Sequence, residues 1–274
     1  MLLLQTEQLV DDTQMVYIAR SAGYLQVRGA ALTRQPDIST SESMLAAYRN
    51  PAGPAAITNT QRAFNDIRIY RGFDTGTRAA ARIGVSSSGP KLPLEPDGSN
   101  LALVLQQLDF HGPLKDVKKY LFRLSDRFED IKTVAEGALT QLYMEERGVG
   151  KVSATRLSDG TLRFLCLMAI LFDPKPPSLV CFEEPEIGLH PEALALVGDA
   201  LREASQRMQL IVTTHSDALV DRFTDEPESV VICERDFDES TVFRRLSKEK
   251  LTEWLGEYTL GDLWRRGEIG GTQR

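Results

Sequence analysis

The sequence of 274 residues is poor in the residue types that build zinc sites and disulfide frameworks. It has three cysteines, Cys166, Cys181 and Cys233, at wide and irregular spacing and without a Cys-x-x-Cys pair. It also has only three histidines. A structural zinc site needs four closely placed Cys or His ligands, so the sequence argues against one. The cysteines lie in apolar runs, which predicts buried free thiols in a reducing compartment.

Long hydrophobic runs and an excess of positive charge are also missing. No apolar run approaches the roughly 20 residues that a membrane helix needs. The first residues, MLLLQTEQLVDD, lack the basic lead and small-residue cleavage site of a signal peptide. We therefore expect a cytoplasmic protein without a membrane partner. A net charge of −7 and a pI near 5.2 argue against a generally basic nucleic-acid binder, although a local basic patch stays open.

Two stretches of the chain concentrate basic residues. The first covers residues 62–82, where apolar side chains partly alternate with arginines, as in a strand. Its arginines are Arg62, Arg68, Arg71, Arg78 and Arg82. They could contact phosphate groups of a nucleotide or of DNA, or form a solvated face, which we favour. The second stretch lies on a helix predicted from Pro113, whose basic residues are Lys115, Lys118, Lys119, Arg123 and Arg127.

Hydrophobic periodicity predicts a chain of alternating strands and helices. Short strands are expected at Met1–Leu4, Met15–Ala19 and Tyr24–Arg28, and a short helix at Glu42–Tyr48. Helices are expected after Asp97–Asn100 and from Pro113, followed by a strand pair, Ile131–Glu136 and Leu139–Glu145, turned at Gly137. We expect an inserted helical and β subregion at about 60–150. The predicted lobes are 1–150 and 151–274, and the chain is expected to begin in mid-sheet.

The first chemical feature is a polar turn before an apolar helix. Ser158, Asp159 and Gly160 precede Leu162, Leu165 and Leu171 at helical spacing. A helix N-terminus presents free N–H groups and a positive dipole end, which suit an anion. Gly160 would let the backbone approach a phosphate closely. The alternative is an ordinary N-cap, which this turn alone favours.

The second feature is a pair of carboxylates at the end of an apolar strand. The run Leu179–Phe182 predicts a buried strand, and Glu183 and Glu184 follow at its C-terminal end, where parallel sheets bind ligands. Successive strand residues point to opposite faces, so the two acids need separate roles. One can hold Mg²⁺ while the other polarises an attacking water. The alternative is a solvated turn.

A third feature is a histidine at the end of the next apolar strand. The turn Glu186–Pro191 contains His190 and leads into an amphipathic helix. The run Leu210–Val212 follows and ends in Thr213, Thr214 and His215. A histidine just past a strand end can donate a hydrogen bond to a γ-phosphate. Taken singly, such a histidine is more often structural.

These motifs, in this order, resemble the C-terminal half of an ABC-type ATPase. The segments EEPEIGLHP and VTTHS resemble the RecF-like and chromosome-maintenance-like (SMC-like) branch of AAA-type ATPases, over roughly residues 60–274. The resemblance implies a P-loop NTPase-like α/β fold, with ATP and Mg²⁺ as cofactors. By it, Ser158 and Gly160 would contact the γ-phosphate of a nucleotide held by a second subunit. Glu183 would hold Mg²⁺, Glu184 would be the catalytic base, and His215 would be the switch residue. His190 would stand at the D-loop position near the nucleotide, where Asp is frequent.

One motif of that family, the phosphate-binding loop GxxxxGK[ST], is absent from the sequence. The segment GVSSSGPK at 84–91 has Pro90 before Lys91 and no Ser or Thr after Lys91. It therefore cannot present successive free backbone N–H groups at a helix N-terminus, as phosphate binding requires. Three explanations stay open: an N-terminally incomplete chain, which we favour, a loop supplied by another chain, or loss of hydrolysis. We expect ATP hydrolysis at a head-to-tail dimer interface that drives a conformational switch, with DNA repair and defence both compatible. The alternative is a non-catalytic half-site subunit that needs a partner chain.

Overall fold

The computed structural model describes residues 6–21, 24–28, 33–34, 42–48, 53–236 and 238–270. The strand predicted at Met1–Leu4 lies outside these residues. The chain divides into two compact units, Met1–Ile67 and Arg68–Arg274. The predicted lobe boundary near residue 150 therefore falls inside the second unit.

The first unit is a small antiparallel sheet with two helices. Its strands β1 (Thr6–Val10), β2 (Val16–Ser21), β3 (Tyr24–Val27) and β4 (Thr33–Arg34) pair in sequence order. Its helices are α1 (Met44–Ala47) and α2 (Ala55–Asn65). Ile18, Leu25, Met44 and Ile57 form its core. The strands predicted near residues 15–19 and 24–28 and the helix predicted within 42–48 are confirmed.

The second unit contains the remaining elements and the predicted motifs. Its strands are β5 (Ile67–Tyr70), which starts at the unit boundary, β6 (Val85–Ser86), β7 (Phe128–Glu136), β8 (Leu139–Glu146), β9 (Gly150–Ser153), β10 (Leu179–Glu183), β11 (Gln209–Thr213), β12 (Val231–Arg235) and β13 (Thr241–Arg245). Its helices are α3 (Ala80–Ile83), α4 (Leu101–His111), α5 (Leu114–Leu124), α6 (Asp159–Leu171), α7 (Pro191–Ala204), α8 (Asp217–Val220), α9 (Lys248–Leu255) and α10 (Leu260–Arg265).

A three-stranded sheet in the order β11-β10-β5 carries the motif strands. β10 and β11 are parallel, and Glu183 stands opposite Thr213 at their C-terminal ends. Their unbroken apolar runs are typical of strands covered on both faces. Val180 and Phe182 of β10 are buried, whereas Ile211 of β11 is 49% exposed. Helix α7 connects them, which makes a βαβ unit.

A second sheet is antiparallel and includes the predicted strand pair. β7 and β8 pair along their length and turn at Gly137, whose φ of 61° requires the left-handed region that glycine adopts freely. β6 and β9 both pair with β8. Because β9 begins at residue 150 and pairs with β8, the ladder crosses the predicted lobe boundary and joins both sides into one unit.

One hydrophobic core runs through most of the second unit. Helices α4 and α6 are apolar around most of their circumference, so they are buried on nearly all sides. Phe164, Leu165 and Met168 of α6 are completely buried. Each such side chain stabilises the fold by roughly 1.5–3 kcal/mol relative to an exposed one. The subregion at 60–150 shares this core through α4, α5, β7 and β8.

The last part of the chain forms a satellite cluster. The hairpin β12–β13 and helix α10 bury Ile232, Leu246, Leu260 and Leu263 together with Val220 of α8.

In the part of the chain that the structure describes, no helix is both long and apolar enough to cross a membrane. The predicted α/β class, with mixed sheets flanked by helices, is confirmed.

Candidate functional site: the C-terminal ends of β10 and β11

The predicted catalytic pair lies where two parallel strands end together. The backbone N–H of Glu184 donates to the carbonyl oxygen of Thr213 at 2.9 Å, which extends the β10–β11 ladder by one residue. The Oε1 atom of Glu184 is 3.8 Å from Nε2 of His215. This separation is longer than a hydrogen bond, so the two groups face each other without binding directly. Their side chains are 38% and 79% exposed, which leaves the pair open to a ligand.

Glu184 has an unusual backbone conformation. Its φ is 46°, in the left-handed region that costs a residue with a Cβ roughly 1–2 kcal/mol. Such conformations persist only where surrounding contacts determine them, and they are enriched at functional sites. Here the N–H and C=O of Glu184 are both bonded, to Thr213 and to the N–H of Ile187 at 3.1 Å.

Glu186, which the sequence analysis did not single out, fixes the segment after β11. Its Oε1 accepts hydrogen bonds from Thr214 Oγ1 and from the backbone N–H of His215, both at 2.7 Å. The hydroxyl of Thr214 in turn accepts from the backbone N–H of Ser216 at 3.0 Å. Glu186 Oε2 is buried and makes no hydrogen bond with the described residues. The sequence did contain a signal for this contact. Glu186 is the third acid of the EEPE segment, and Thr214 is the second threonine before His215.

Glu183 faces a cation rather than another acid. Its Oε2 is 3.1 Å from Nε of Arg71, and both side chains are more than half exposed. In the described part of the chain, no cluster of three or more His, Cys, Asp or Glu side chains could hold a metal ion by itself. Glu183 nevertheless fits Mg²⁺, because Mg²⁺ is commonly bound by one or two carboxylates together with phosphate oxygens and water.

Two arginines join the carboxylates around a small recess. The recess has a volume of about 40 Å³ and is lined by Arg71, Arg163, Glu183 and Glu184, among others. Phe182 of β10 stacks on Tyr70 of β5 at its base, with 5.7 Å between ring centroids. Apolar walls with two cations and two anions suit a charged, hydrated ligand. Arg163 was not predicted as a site residue, since it belongs to no recognisable motif, whereas Arg71 was among the arginines of residues 62–82 for which phosphate contact and a solvated face were both considered.

The polar turn before α6 is an N-cap, as predicted. Ser158 Oγ accepts from the backbone N–H of Thr161 at 3.1 Å. Gly160 is explained by packing, because a Cβ at this position would lie 3.0 Å from the carbonyl oxygen of Gly188. The turn before α6 therefore touches the turn that follows Glu184.

Arg82 holds the loop that leads into this turn. It is 7% exposed and donates from Nε to the carbonyl of Thr75 at 2.8 Å and from Nη1 to the carbonyls of Ala154 and Leu157 at 3.0 and 2.6 Å. It also forms an ion pair with Asp159. Arg82 is thus engaged by the protein and is neither a phosphate contact nor part of a solvated face.

His190 lies at the N-cap of α7. Its Nδ1 accepts weakly from the backbone N–H of Glu192 at 3.4 Å, and its side chain is 72% exposed. The helix-capping contact gives His190 a structural role on its own helix. Its predicted contact with a nucleotide stays a prediction.

Carboxylates pair with much of the basic face predicted on α5. Lys118 lies 2.6 Å from Asp130, Arg123 lies 2.9 Å from Asp199, and Arg127 lies 4.0 Å from Glu146. These pairs reduce the positive potential that DNA binding requires. We therefore do not base a function on this face.

Part of the chain matches a described protein family and a known protein. Residues 76–221 match the family described as "AAA domain, putative AbiEii toxin, Type IV TA system". A segment of 111 residues is 29% identical to ABC transporter A family member 12 of Arabidopsis thaliana. It covers 40% of this chain and 11% of that protein, so the chain spans about a tenth of that relative's length.

Solved SMC head domains are similar to the chain at low sequence identity. An SMC head bound to the C-terminal winged-helix domain of ScpA is 15% identical, with a TM-score of 0.47, over 90% of this chain and 69% of that one. The SMC head domain of Thermotoga maritima is 11% identical, with a TM-score of 0.41, over 88% of this chain and 73% of that one. Since the matched family covers more than half of the sequence, including the turn before α6, both acids and His215, the chain belongs to this AAA-domain family.

Proposed function

We propose that this chain supplies the hydrolytic and signature halves of a composite ATP site, at a head-to-tail interface with a second subunit. The observation that carries the proposal is the approach of Glu184 Oε1 to within 3.8 Å of His215 Nε2 at the shared end of β10 and β11. The family of AAA domains to which the chain belongs supports nucleotide use.

Glu184 is proposed to orient and deprotonate the attacking water. Phosphoryl transfer to water depends mainly on positioning and on charge neutralisation, so a fixed carboxylate suits this role. The left-handed backbone of Glu184 and its two backbone hydrogen bonds fix the point at the strand end from which the carboxylate projects. A fixed geometry avoids a reorganisation cost during the reaction.

His215 is proposed to contact the γ-phosphate. Its backbone N–H is held by Glu186 while its ring is 79% exposed beside Glu184. A ring in this position can donate a hydrogen bond to a phosphate oxygen and report whether the phosphate is present. Loss of that contact after hydrolysis would free the His215 ring, while Glu186 still holds its backbone, and this change at the ring is the proposed start of the conformational switch.

Glu183, Ser158 and Gly160 are proposed to bind the charged groups of the site, namely Mg²⁺ and a γ-phosphate. Mg²⁺, when bound, would neutralise phosphate charge, and Glu183 is the carboxylate that would hold it. Arg71, which also lines the recess, forms an ion pair with Glu183. The N-terminus of α6, with Ser158 and Gly160, is proposed to face the γ-phosphate of a nucleotide held by the other subunit.

The absent phosphate-binding loop favours a second candidate function. Without a loop supplied from outside these 274 residues, the chain would be a half-site interaction subunit that binds a partner without hydrolysing ATP. The two functions differ in one measurable property, namely ATP turnover that depends on Glu184.

The test measures ATP turnover by the protein purified from its own cells. Purification under native conditions keeps any segment or subunit that supplies the phosphate-binding loop bound to the chain. We expect Mg²⁺-dependent hydrolysis whose kcat falls roughly 10²–10⁴-fold in Glu184→Gln, with ATP binding retained. Glu192→Gln is the matched control, since Glu192 is 84% exposed on the first turn of α7. Turnover that is insensitive to Glu184→Gln would contradict the proposal, and ATP binding without turnover would favour the half-site function.

A further inference from the structure

Helix α8 follows His215 almost directly and belongs to two hydrophobic clusters at once. Its Leu219 is buried in the main core of the second unit, whereas its Val220 is buried in the satellite cluster. Ser216 joins α8 to the histidine. The Oγ atom of Ser216 accepts from the backbone N–H of Leu219 at 3.2 Å, and its carbonyl oxygen accepts from the backbone N–H of Val220 at 3.1 Å. The position of α8 therefore determines the position of the residue that follows His215.

Helix α7 packs closely on the turn after α8. Arg222 lies in this turn, the 3₁₀ segment Asp221–Phe223. A Cβ at Gly198 of α7 would lie 2.6 Å from Cγ and 2.7 Å from Cβ of Arg222, so only glycine allows this approach. Asp199 beside it accepts from Nη2 of Arg222 at 2.6 Å. The turn after α8 is thus held against the main core.

Helix α10 of the satellite cluster binds the same turn through its first backbone N–H groups. The N–H of Gly261 donates to Oδ1 of Asp221 at 2.7 Å. The N–H of Leu260 donates to Oγ1 of Thr224 at 3.1 Å. The first N–H groups of a helix have no carbonyl partner within it, so these bonds satisfy donors that α10 cannot satisfy itself.

Gly261 also brings α10 against the backbone of α8. A Cβ at Gly261 would collide with the carboxylate of Asp221 and would lie 2.8 Å from the carbonyl oxygen of Asp217, the first residue of α8. A backbone carbonyl cannot rotate away as a side chain can, so a larger residue at 261 has to move one helix relative to the other. Asp217 also forms an ion pair with Arg265 at the end of α10.

We propose that α10 is a positioning element for His215, which acts through Asp221 and α8. The proposal rests on the proposed function, because it concerns the histidine that would contact the γ-phosphate. Glu186 holds the backbone N–H of His215, and Ser216 ties the next residue to α8, so the ring projects from a segment with two anchors. Helix α10 stabilises the second anchor. Gly261 and Asp221 are therefore positioning residues, which act on His215 through α8.

The test compares Gly261→Ala with the wild-type chain by NMR of the histidine rings, without nucleotide. Carbon-13-labelled histidine gives one ring signal for each of the three histidines of the sequence, His111, His190 and His215. His215→Gln assigns the signal of residue 215. We expect Gly261→Ala to shift the His215 signal and to leave the other two in place. We also expect it to speed amide hydrogen exchange at residues 213–216 by roughly tenfold.

Gly256→Ala is the matched control in the same part of the chain. Gly256 has a φ of −74°, and a Cβ there would meet nothing within 4 Å, so alanine fits without moving a helix. We expect this variant to keep the ring signals and the amide exchange of the wild type.

A second pair of variants separates the hydrogen bond from a general loss of stability. Asp221→Ala removes the acceptor of the Gly261 N–H and should also move the His215 signal. Asp221→Asn keeps an acceptor oxygen at the same place and should leave the signal where it is. In ATP turnover, Gly261→Ala should lower kcat roughly tenfold, because displacing a group that acts on the reacting phosphate costs rate.

Two results would overturn the proposal. An unchanged His215 signal and unchanged exchange at 213–216 in Gly261→Ala would mean that α10 only stabilises the fold. If Gly261→Ala does not fold, the same result in Asp221→Ala decides. A shift of all three ring signals would mean a change of the whole fold rather than of the His215 segment.

The ring signals also separate this proposal from the proposed ATP site, since they require no nucleotide. A His215 signal that moves in Gly261→Ala, without Glu184-dependent turnover in the wild type, would count against the ATP site alone. Glu184-dependent turnover together with an unmoved His215 signal would count against the role of α10 alone.

Discussion

At the scale of single residues, Glu186 decides where His215 stands. Its Oε1 accepts two hydrogen bonds at 2.7 Å, from the Thr214 hydroxyl and the His215 backbone N–H. Hydrogen bonds to an ionised carboxylate are stronger than neutral ones. Glu186 is therefore a positioning residue, which acts on the proposed chemistry through His215.

Replacing Glu186 with Ala should release the segment after β11. We expect kcat for ATP to fall roughly 10- to 100-fold, because a displacement of about 1 Å in a catalytic group costs rate. Hydrogen exchange at the His215 amide should accelerate at the same time. Glu186→Gln should restore much of both properties, since its side-chain oxygen can accept the same bonds. An unchanged exchange rate at His215 in Glu186→Ala would disprove the positioning role.

At the scale of elements, the loop before α6 is held in place by a buried arginine that lies on α3, outside the loop. Arg82 donates to three backbone carbonyls, from Thr75, Ala154 and Leu157, and pairs with Asp159. Together these contacts tie the loops before α3 and α6 to one side chain. The position of the signature turn therefore depends on α3, which lies far away in the sequence.

Arg82→Met should destabilise the second unit. The methionine fills much of the same space but removes the hydrogen bonds to three carbonyls and the ion pair with Asp159, so we expect the free energy of unfolding to fall by about 3 kcal/mol. Denaturant unfolding measures this change. Arg78→Met is the control, because Arg78 is exposed four residues earlier and should change stability by less than about 0.5 kcal/mol. Equal effects of the two substitutions would show that the buried contacts of Arg82 contribute little.

At the scale of the whole molecule, Asp199 links separate elements of the second unit. It lies on α7 and accepts from Arg123 of α5 at 2.9 Å and from Arg222, just after α8, at 2.6 Å. Burial disfavours the charged form, but the hydrogen bonds from Arg222 and Arg123 outweigh it and lower the pKa of Asp199 below its ordinary value. The ionised carboxylate is therefore favoured in the folded state.

This lowered pKa predicts a loss of stability in acid. The contribution of Asp199 is complete above its unfolded pKa of about 3.9 and is lost as the pH falls through its lower folded pKa. After allowance for solvent screening, we expect Asp199→Asn to lower the free energy of unfolding by about 1 kcal/mol at pH 7.

Denaturant unfolding across the acid range checks this expectation. The difference between wild type and Asp199→Asn should shrink as the pH falls below about 3.9. Asp109→Asn is a control at an exposed position of α4. A difference that grows in acid would contradict the sign of the effect.

The sequence was informative about elements and poor about long-range contacts. The apolar runs of β10 and β11, the N-cap at Ser158 and the turn at Gly137 follow from local patterns, and the structure confirms them. The sequence did not predict that β8 and β9 join the two sides of residue 150, because this pairing is not visible in composition. Arg82 had been grouped with neighbouring arginines, since burial depends on segments that lie more than 70 residues further along the chain.

The sequence by itself determined the acid pair, the helix cap and the histidine of the candidate site, because residue type and spacing specify strand ends and caps. Only the tertiary structure decided which groups meet. The parallel pairing of β10 with β11 brings Glu184 to His215, and the crossing of two turns brings Gly160 to Gly188. That β11 ends the sheet β11-β10-β5 among the described residues was equally invisible, because the neighbours of a strand depend on how the whole sheet assembles.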